Sequence, residues 1–455
     1  MLFATRGFFE VAALAFLENS SYFWGVNLKT MYHQEQLLHY VWQYRLFPSL
    51  ALETTNGQRV EVIDPGIYNS NAGPDFFNAK IRIGDTVWAG DVELHHHSGA
   101  WVKHGHHRDA AYNSVILHVV EEADCTVENA KGEAVPQCIL SVPHKIRENA
   151  DYLIHSAHRL PCREYLPLLP KPAVDAFFTA LSIERLERKT NDIFSYLKRF
   201  RNSWDEAFYL LLTRNFGFGL NSEAFERLAL SLPYHCIRKH SDNLFQLETM
   251  LFGQAGMLED ETVGDDYYRG LRKEYAFLKA KYALTALQEY LFKRLRIRPQ
   301  AFPTIRMAQL AALLQSSGRI FSAVIETEDI EALRNLFKAT PSPYWQTHYT
   351  FGKTSPFASK QLGQTTIDIL LINTVSPILF AYGRKTATEH YCDRAVHILE
   401  SLKPERNAIV DTFRHAGMVP TNAFNTQAMI QLRREYCDKR KCLFCRIGYM
   451  VLTHR

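Results

Sequence analysis

Asn71-Ala-Gly-Pro-Asp75-Phe-Phe-Asn-Ala-Lys-Ile-Arg-Ile83-Gly-Asp-Thr86-Val-Trp-Ala-Gly90-Asp-Val-Glu93-Leu-His95 is the stretch on which the fold turns. A loop rich in Asn, Gly and Pro, from Tyr68 to Pro74, runs into two segments, Phe76 to Ile83 and Thr86 to His95, in which apolar and polar residues alternate. Gly84-Asp85 between them is a tight-turn pair, so the segments predict a β-hairpin. Side chains alternate across a strand, which puts Asp91, Glu93 and His95 on one face and turns Val92 and Leu94 toward a core.

Upstream, Arg59 to Ile63 alternates and reads as a strand stopped by Asp64-Pro65-Gly66. Before it, Leu37, Leu38, Val41, Trp42 and Tyr44 fall at helical spacing within Gln34 to Leu46. Downstream of a polar, His-rich stretch, Ser114 to Val120 is a β-branched run of the kind found in buried strands. The order is helix, three strands, short helix, strand. Prolines 161, 167, 170 and 172 then mark a boundary, beyond which the period becomes helical. Val174, Phe177, Phe178 and Leu181 begin it, and Trp204–Leu212, Tyr275–Leu295, Met307–Leu314 and Ile367–Leu379 continue it. The fold expected is α+β: an uncertain extension over 1–30, an α/β domain over 31–160 and a helical region over 173–455. Leu2 to Leu17 is apolar but interrupted by Glu10, and an extension upstream of a start at Met31 is favoured over a signal peptide or a short helix.

A chain of 455 residues with 47% hydrophobic and 22% charged residues has ample material for such cores, and a net charge of +4 permits nucleic acid without announcing it. No uninterrupted apolar run is long enough to span a bilayer, so no membrane partner is expected. Eight thinly spread cysteines suggest a reducing compartment, hence the cytoplasm. The oligomeric state leaves no mark in the sequence.

The chemistry concentrates around the hairpin. Asp75 stands where the loop meets the first strand, so its carboxylate reaches the face of Asp91, Glu93 and His95. Converging carboxylates repel and raise one another's pKa unless a cation sits among them, and a divalent metal (Mg or Mn) is the natural resolution. His104, His106 and Asp109 follow closely and extend the candidate ligand set. Taken singly, Gly73-Pro74-Asp75 reads as a capped turn and Glu93 with His95 as a solvated strand face.

Pro74-Asp75, followed eighteen residues later by Glu93-Leu94-His95, resembles the PD-(D/E)xK nuclease core. The resemblance covers roughly residues 33 to 120. It implies a restriction-endonuclease-like domain that hydrolyses phosphodiester bonds in DNA or RNA. Asp75, Glu93 and the Leu94 carbonyl would hold the metal, with Glu35 supporting from the preceding helix. His95 replaces the Lys expected there, so a proton-accepting role, a softer metal or loss of activity follows. Two alternatives stay open: a different metal enzyme with His95, His104 and His106 on a transition metal, and an inactive binding module for nucleic acid or protein. The chain as a whole also resembles an uncharacterised bacterial family known only as a domain of unknown function, through Asn71–Phe76, Val92–His95, Tyr112-Asn113, Val115–Val120 and the terminal cysteine segment.

Cys437-x4-Cys442-x2-Cys445 is a second constellation, with spacing suited to zinc or an iron–sulfur cluster if Cys392 or His390 adds a fourth ligand. Thiols packing a terminal helix are the plainer reading. Lys293, Arg294, Arg296 and Arg298 read as cations against a helix end, Gly217-Phe-Gly219 as a turn, and Tyr344, Trp345, Tyr349 and Phe351 as core or loop anchors.

Overall fold

The structure, a computed structural model, describes residues 28–48, 52–316 and 319–453. The candidate extension over 1–30 falls almost wholly outside them. The chain divides into two units, the first made of residues 1–169 and 435–455, the second of Pro170–Arg434. The terminal cysteines, in the stretch expected to close the helical region, thus belong to the first unit, where Cys442 lies against Leu153 of the helix His144–His155.

The first unit is built on a six-stranded mixed sheet. Its strands are β1 (Val60–Asp64), β2 (Ile67–Tyr68), β3 (Phe76–Ile83), β4 (Thr86–His97), β5 (Val115–Glu122) and β6 (Gln137–Ile139). The order is β1-β3-β4-β5-β6, with β2 as a short partner of β3. β1, β3 and β4 run antiparallel; β5 and β6 join in parallel. The β3–β4 hairpin closes on Gly84 at φ +58°, a conformation that glycine adopts without a Cβ clash. Parallel addition of β5 needs a crossover, supplied by a helical turn, Ala100–Lys103, and two 3₁₀ turns, His106–Arg108 and Ala110–Tyr112. Gly90 permits the close approach of β5, since a Cβ there would lie 2.4 Å from Ile116 Cγ2. The helix Leu28–Gln43 buries Leu37, Leu38, Val41 and Trp42, as its period expects, whereas Tyr44, also on that period, lies past its end and is exposed.

Helices and a small β7–β8 hairpin (His348–Thr350, Lys353–Thr354) make up the second unit, around a core running from Leu186 to Phe424. Its first helix, Lys171–Arg199, opens with Pro172 in the turn that tolerates proline. Helix Asp266–Tyr282 ends at Ala283 in a left-handed conformation (φ 50°), so the helix expected over Tyr275–Leu295 stops early. Lys293–Arg298 consequently lies on irregular chain and caps no helix dipole; Asn221 pins that chain by bonding both backbone groups of Lys293. Trp345 is fully buried against Phe252 and Phe351, as the core reading expects. The stretch Gln364–Thr386 is long and apolar enough to cross a membrane, but 72% of its apolar window is buried, the packing of a core helix. It widens into a π-helical turn at Leu371–Val375, next to Pro377, whose missing N–H and ring disfavour a regular ladder there.

Candidate metal centre

The site forms where β3, β4 and β5 meet the crossover turns. Phe76 pairs with Val92, which sets Asp75 opposite Glu93 on the neighbouring strand. The Asp75 amide donates to Glu93 Oε2 (3.0 Å), and the Leu94 amide donates to Asp75 Oδ2 (2.9 Å). Along β4, Val92, Glu93, Leu94 and His95 are all buried. The solvated-face reading of Glu93 and His95 is thereby excluded.

With one oxygen of Glu93 held by the strand, the other faces imidazoles. Glu93 Oε1 lies 3.2 Å from His106 Nε2 and 3.5 Å from His95 Nε2. His95 Nε2 lies 3.1 Å from His104 Nδ1. Among the described residues, His95, His104 and His106 form the group whose ligand atoms all fall within 4.8 Å of one another. His95 is fixed from behind: its Nδ1 is 2.9 Å from His118 Nε2, directly across from Glu93 on β5. Gln137 on β6 stands 3.5 Å from the other nitrogen of His118 and donates to Ser98 Oγ. Trp101 and Tyr112 wall the cluster, Tyr112 stacking on His106 at 3.8 Å between ring centres.

Burial governs the protonation of these groups. Desolvation, with the neighbouring charge of Asp75, pushes Glu93 up to about 9. Desolvation and the surrounding imidazoles push His95 down to about 2, and burial pushes His118 down to about 4. His104 and His106 are lowered too, chiefly by burial. Neutral imidazole is the form that binds a metal ion.

Glu35 joins from the helix Leu28–Gln43. Burial raises its pKa, opposed by the charges of His39 and His104. One turn further along that helix, His39 Nε2 sits 3.2 Å from Asp75 Oδ2. Burial opposes protonation of His39, yet the Asp75 hydrogen bond and charge outweigh it and its pKa is raised. Asp91 and Asp109 serve the backbone instead. Asp91 accepts from the Asn78 amide (3.0 Å) and Ser114 Oγ (2.6 Å), bracing a bulge where Asn78 takes φ +55°. Asp109 accepts from the Ala111 amide and caps the second 3₁₀ turn. His96 points away, to Glu121, as alternation requires.

His39 and His118 were not singled out by sequence reasoning. His118 hides inside an apolar β-branched run, and its partner across a parallel crossover has no local signature. A helical spacing from Glu35 to His39 was the available clue to the other.

The terminal cysteines are buried in the same unit. Cys442 Sγ lies 3.9 Å from the Leu153 carbonyl, and burial pushes Cys445 up to about 12. Cys392 and His390 belong to the helical unit, where Cys392 faces the Phe380 carbonyl and His390 faces Glu328. The cysteine nearer at hand is Cys162, also buried, whose thiol is raised by burial and by Cys445 and Cys442.

Fold and site thus define an α+β protein whose sheet carries a histidine–carboxylate cluster, buried except at His104. The chain belongs to the family described as "Protein of unknown function (DUF2851)", whose profile matches residues 35–408. The match takes in the whole cluster and stops before the terminal cysteines. No curated protein and no solved structure matches the chain.

Proposed function

We propose that the protein is a metal-dependent hydrolase of phosphodiester bonds in DNA or RNA, its divalent ion held by His95, His104, His106 and Glu93. The observation that carries the reading is the spacing of the ligand atoms. Four ligands at about 2.1 Å around a tetrahedral ion lie about 3.4 Å from each other. Three of the six edges, at 3.1, 3.2 and 3.5 Å linking His104, His95, Glu93 and His106, are close to that value, and the three histidine ligand atoms all lie within 4.8 Å of one another. Three imidazoles and one carboxylate favour zinc, iron or manganese over magnesium, which prefers oxygen. Such an ion polarises a phosphoryl oxygen and lowers the pKa of water.

The chain's own groups support that chemistry. Asp75 fixes Glu93 through its backbone amide, and His118 fixes the His95 ring with Nε2 toward the centre. His39, its protonation favoured by Asp75, supplies positive charge of the kind that the nuclease resemblance assigns to a Lys. The facing pair Asp75 and Glu93 on adjoining strands, with Glu35 on the preceding helix, supports phosphodiester as the substrate. The thinly spread cysteines agree with a reducing, cytoplasmic setting.

Elemental analysis of the purified full chain, after reconstitution with manganese, iron or zinc, should find about one ion per chain, the number one tetrahedral site takes. Incubation with single-stranded, duplex and branched DNA and RNA should give cleavage that a chelator abolishes. His106→Ala and Glu93→Gln should lose the ion and at least tenfold of the activity while keeping the parent circular dichroism. A parent chain that retains none of these ions would sink the site; one that binds an ion yet cleaves no nucleic acid would sink the substrate.

A further inference from the structure

The helical unit holds a cavity of about 600 Å³, within the size range of small-molecule sites. Six cationic side chains line it: Arg185, Arg188, Lys189, Arg214, Arg406 and Arg434. Two carboxylates, Asp192 and Glu405, share the wall. The excess of four positive charges equals that of the entire chain.

The arrangement is assembled from distant sequence. Arg185, Arg188 and Lys189 share one face of Lys171–Arg199, at spacings of three and four residues. Arg214 comes from the helix Trp204–Phe216 and Arg434 from a π-helical turn, Leu432–Cys437. The other π-helical turn contributes Asn373, whose Oδ1 accepts from Lys189 Nζ at 3.0 Å. Widened turns of this kind recur at functional sites. Burial and the charges of Arg185, Arg188 and Arg214 press the Lys189 pKa well down. Glu405 accepts from Gln427 and Thr426; of the cations, Arg185 Nε donates to Gln427 and Arg214 Nε pairs with Glu226 outside the lining. Tyr196 and Phe218 add flat apolar surface to the same wall.

We propose that this cavity binds phosphate groups, gripped by the arginine forks of Arg185, Arg188, Arg214, Arg406 and Arg434 around Lys189. Guanidinium matches phosphate oxygens in pairs, and so many forks around one half-open cavity suit a di- or triphosphate better than one carboxylate. The phosphates come from a free nucleotide or from a nucleic-acid strand threading the opening. This site stands independently of the metal centre.

The test uses the full-length protein and three probes: a fluorescent nucleoside triphosphate, pyrophosphate as its competitor, and a single-stranded oligonucleotide. Binding should weaken steeply with added salt. Arg406 and Arg434 are exposed, so the double variant Arg406→Ala/Arg434→Ala should keep the fold and lose tenfold or more in affinity. Lys189→Gln should lose a similar factor, and Asp109→Ala, at a cap in the other unit, should bind as the parent does. Binding of the nucleotide, displaced by pyrophosphate, identifies a soluble phosphate ligand; binding of the oligonucleotide alone identifies a strand. The proposal is overturned if the parent binds none of the three, if neither cavity variant weakens binding, or if an oligoglutamate displaces the probe while pyrophosphate does not.

Discussion

The two units withdraw ionisable groups of different kinds from water. In the sheet unit, Glu93, His95, His106 and His118 are withdrawn from water on three adjoining elements. In the helical unit the withdrawn groups are cations, Arg185 and Lys189 among them. Burying ionisable groups opposes folding, and in both clusters polar neighbours offset part of that cost, as Gln427 does for Arg185 and Asn373 for Lys189; a bound ligand would offset more. The difference lies in what surrounds the cluster. The helical cluster sits beside a core running from Leu186 to Phe424, whereas the sheet cluster lies among paired strands and crossover turns, against Trp101 and Tyr112.

That contrast can be broken most severely at Trp345. Trp345→Ala removes a fully buried ring from the helical core and should cost about 3–5 kcal/mol in that unit. Calorimetry should then show the helical transition lowered, with the metal content of the sheet unit unchanged. Loss of the ion would mean that the units do not behave separately.

A second test sharpens the comparison inside the helical core itself, where one acid is buried. Glu248 accepts from Tyr267 Oη and is pushed by burial to about 7, from 4.5. Below the lower value both folded and unfolded chains hold the proton. Between the two the unfolded chain ionises first, so stability falls as pH rises, and above about 7 the full penalty of about 3 kcal/mol applies. Glu248→Gln should be the more stable protein in urea at about pH 8 and should match the parent at about pH 4. A variant no more stable at the higher pH would refute the buried, proton-holding acid.

The smallest effect is expected at Asp109. Asp109→Ala removes a single cap and should cost about 1 kcal/mol. Bound metal, measured by elemental analysis, should stay at the parent level; its loss would move Asp109 into the ligand set.

Local pattern made much of the sheet unit legible. The β3–β4 hairpin, the opposition of Asp75 to Glu93 and the shared face of Glu93 and His95 follow from alternation and one tight turn; the burial of that face as well as the face of Val92 and Leu94 does not. His104 and His106 were within reach because they are close in sequence. His118 was not, since pairing across a parallel crossover leaves no short-range trace. In the helical unit, period located the helices but missed the stop at Ala283. The basic run Lys293–Arg298 drew attention by contiguity, while the cavity cations, scattered from Arg185 to Arg434, carry no sequence signature as a set.

Residues 435–455 return to the sheet unit after the helical unit is complete. Arg440 reaches the carbonyls of Ser156 and His158, Asn149 reaches those of Val451 and Leu452, and Tyr449 lies against Tyr40 and Tyr44. During synthesis the helical insert can fold on the ribosome while its host still lacks a wall. The part of the protein made first is thus finished last, and a ribosome stalled before Glu435 would release a chain with one sound half and one open one.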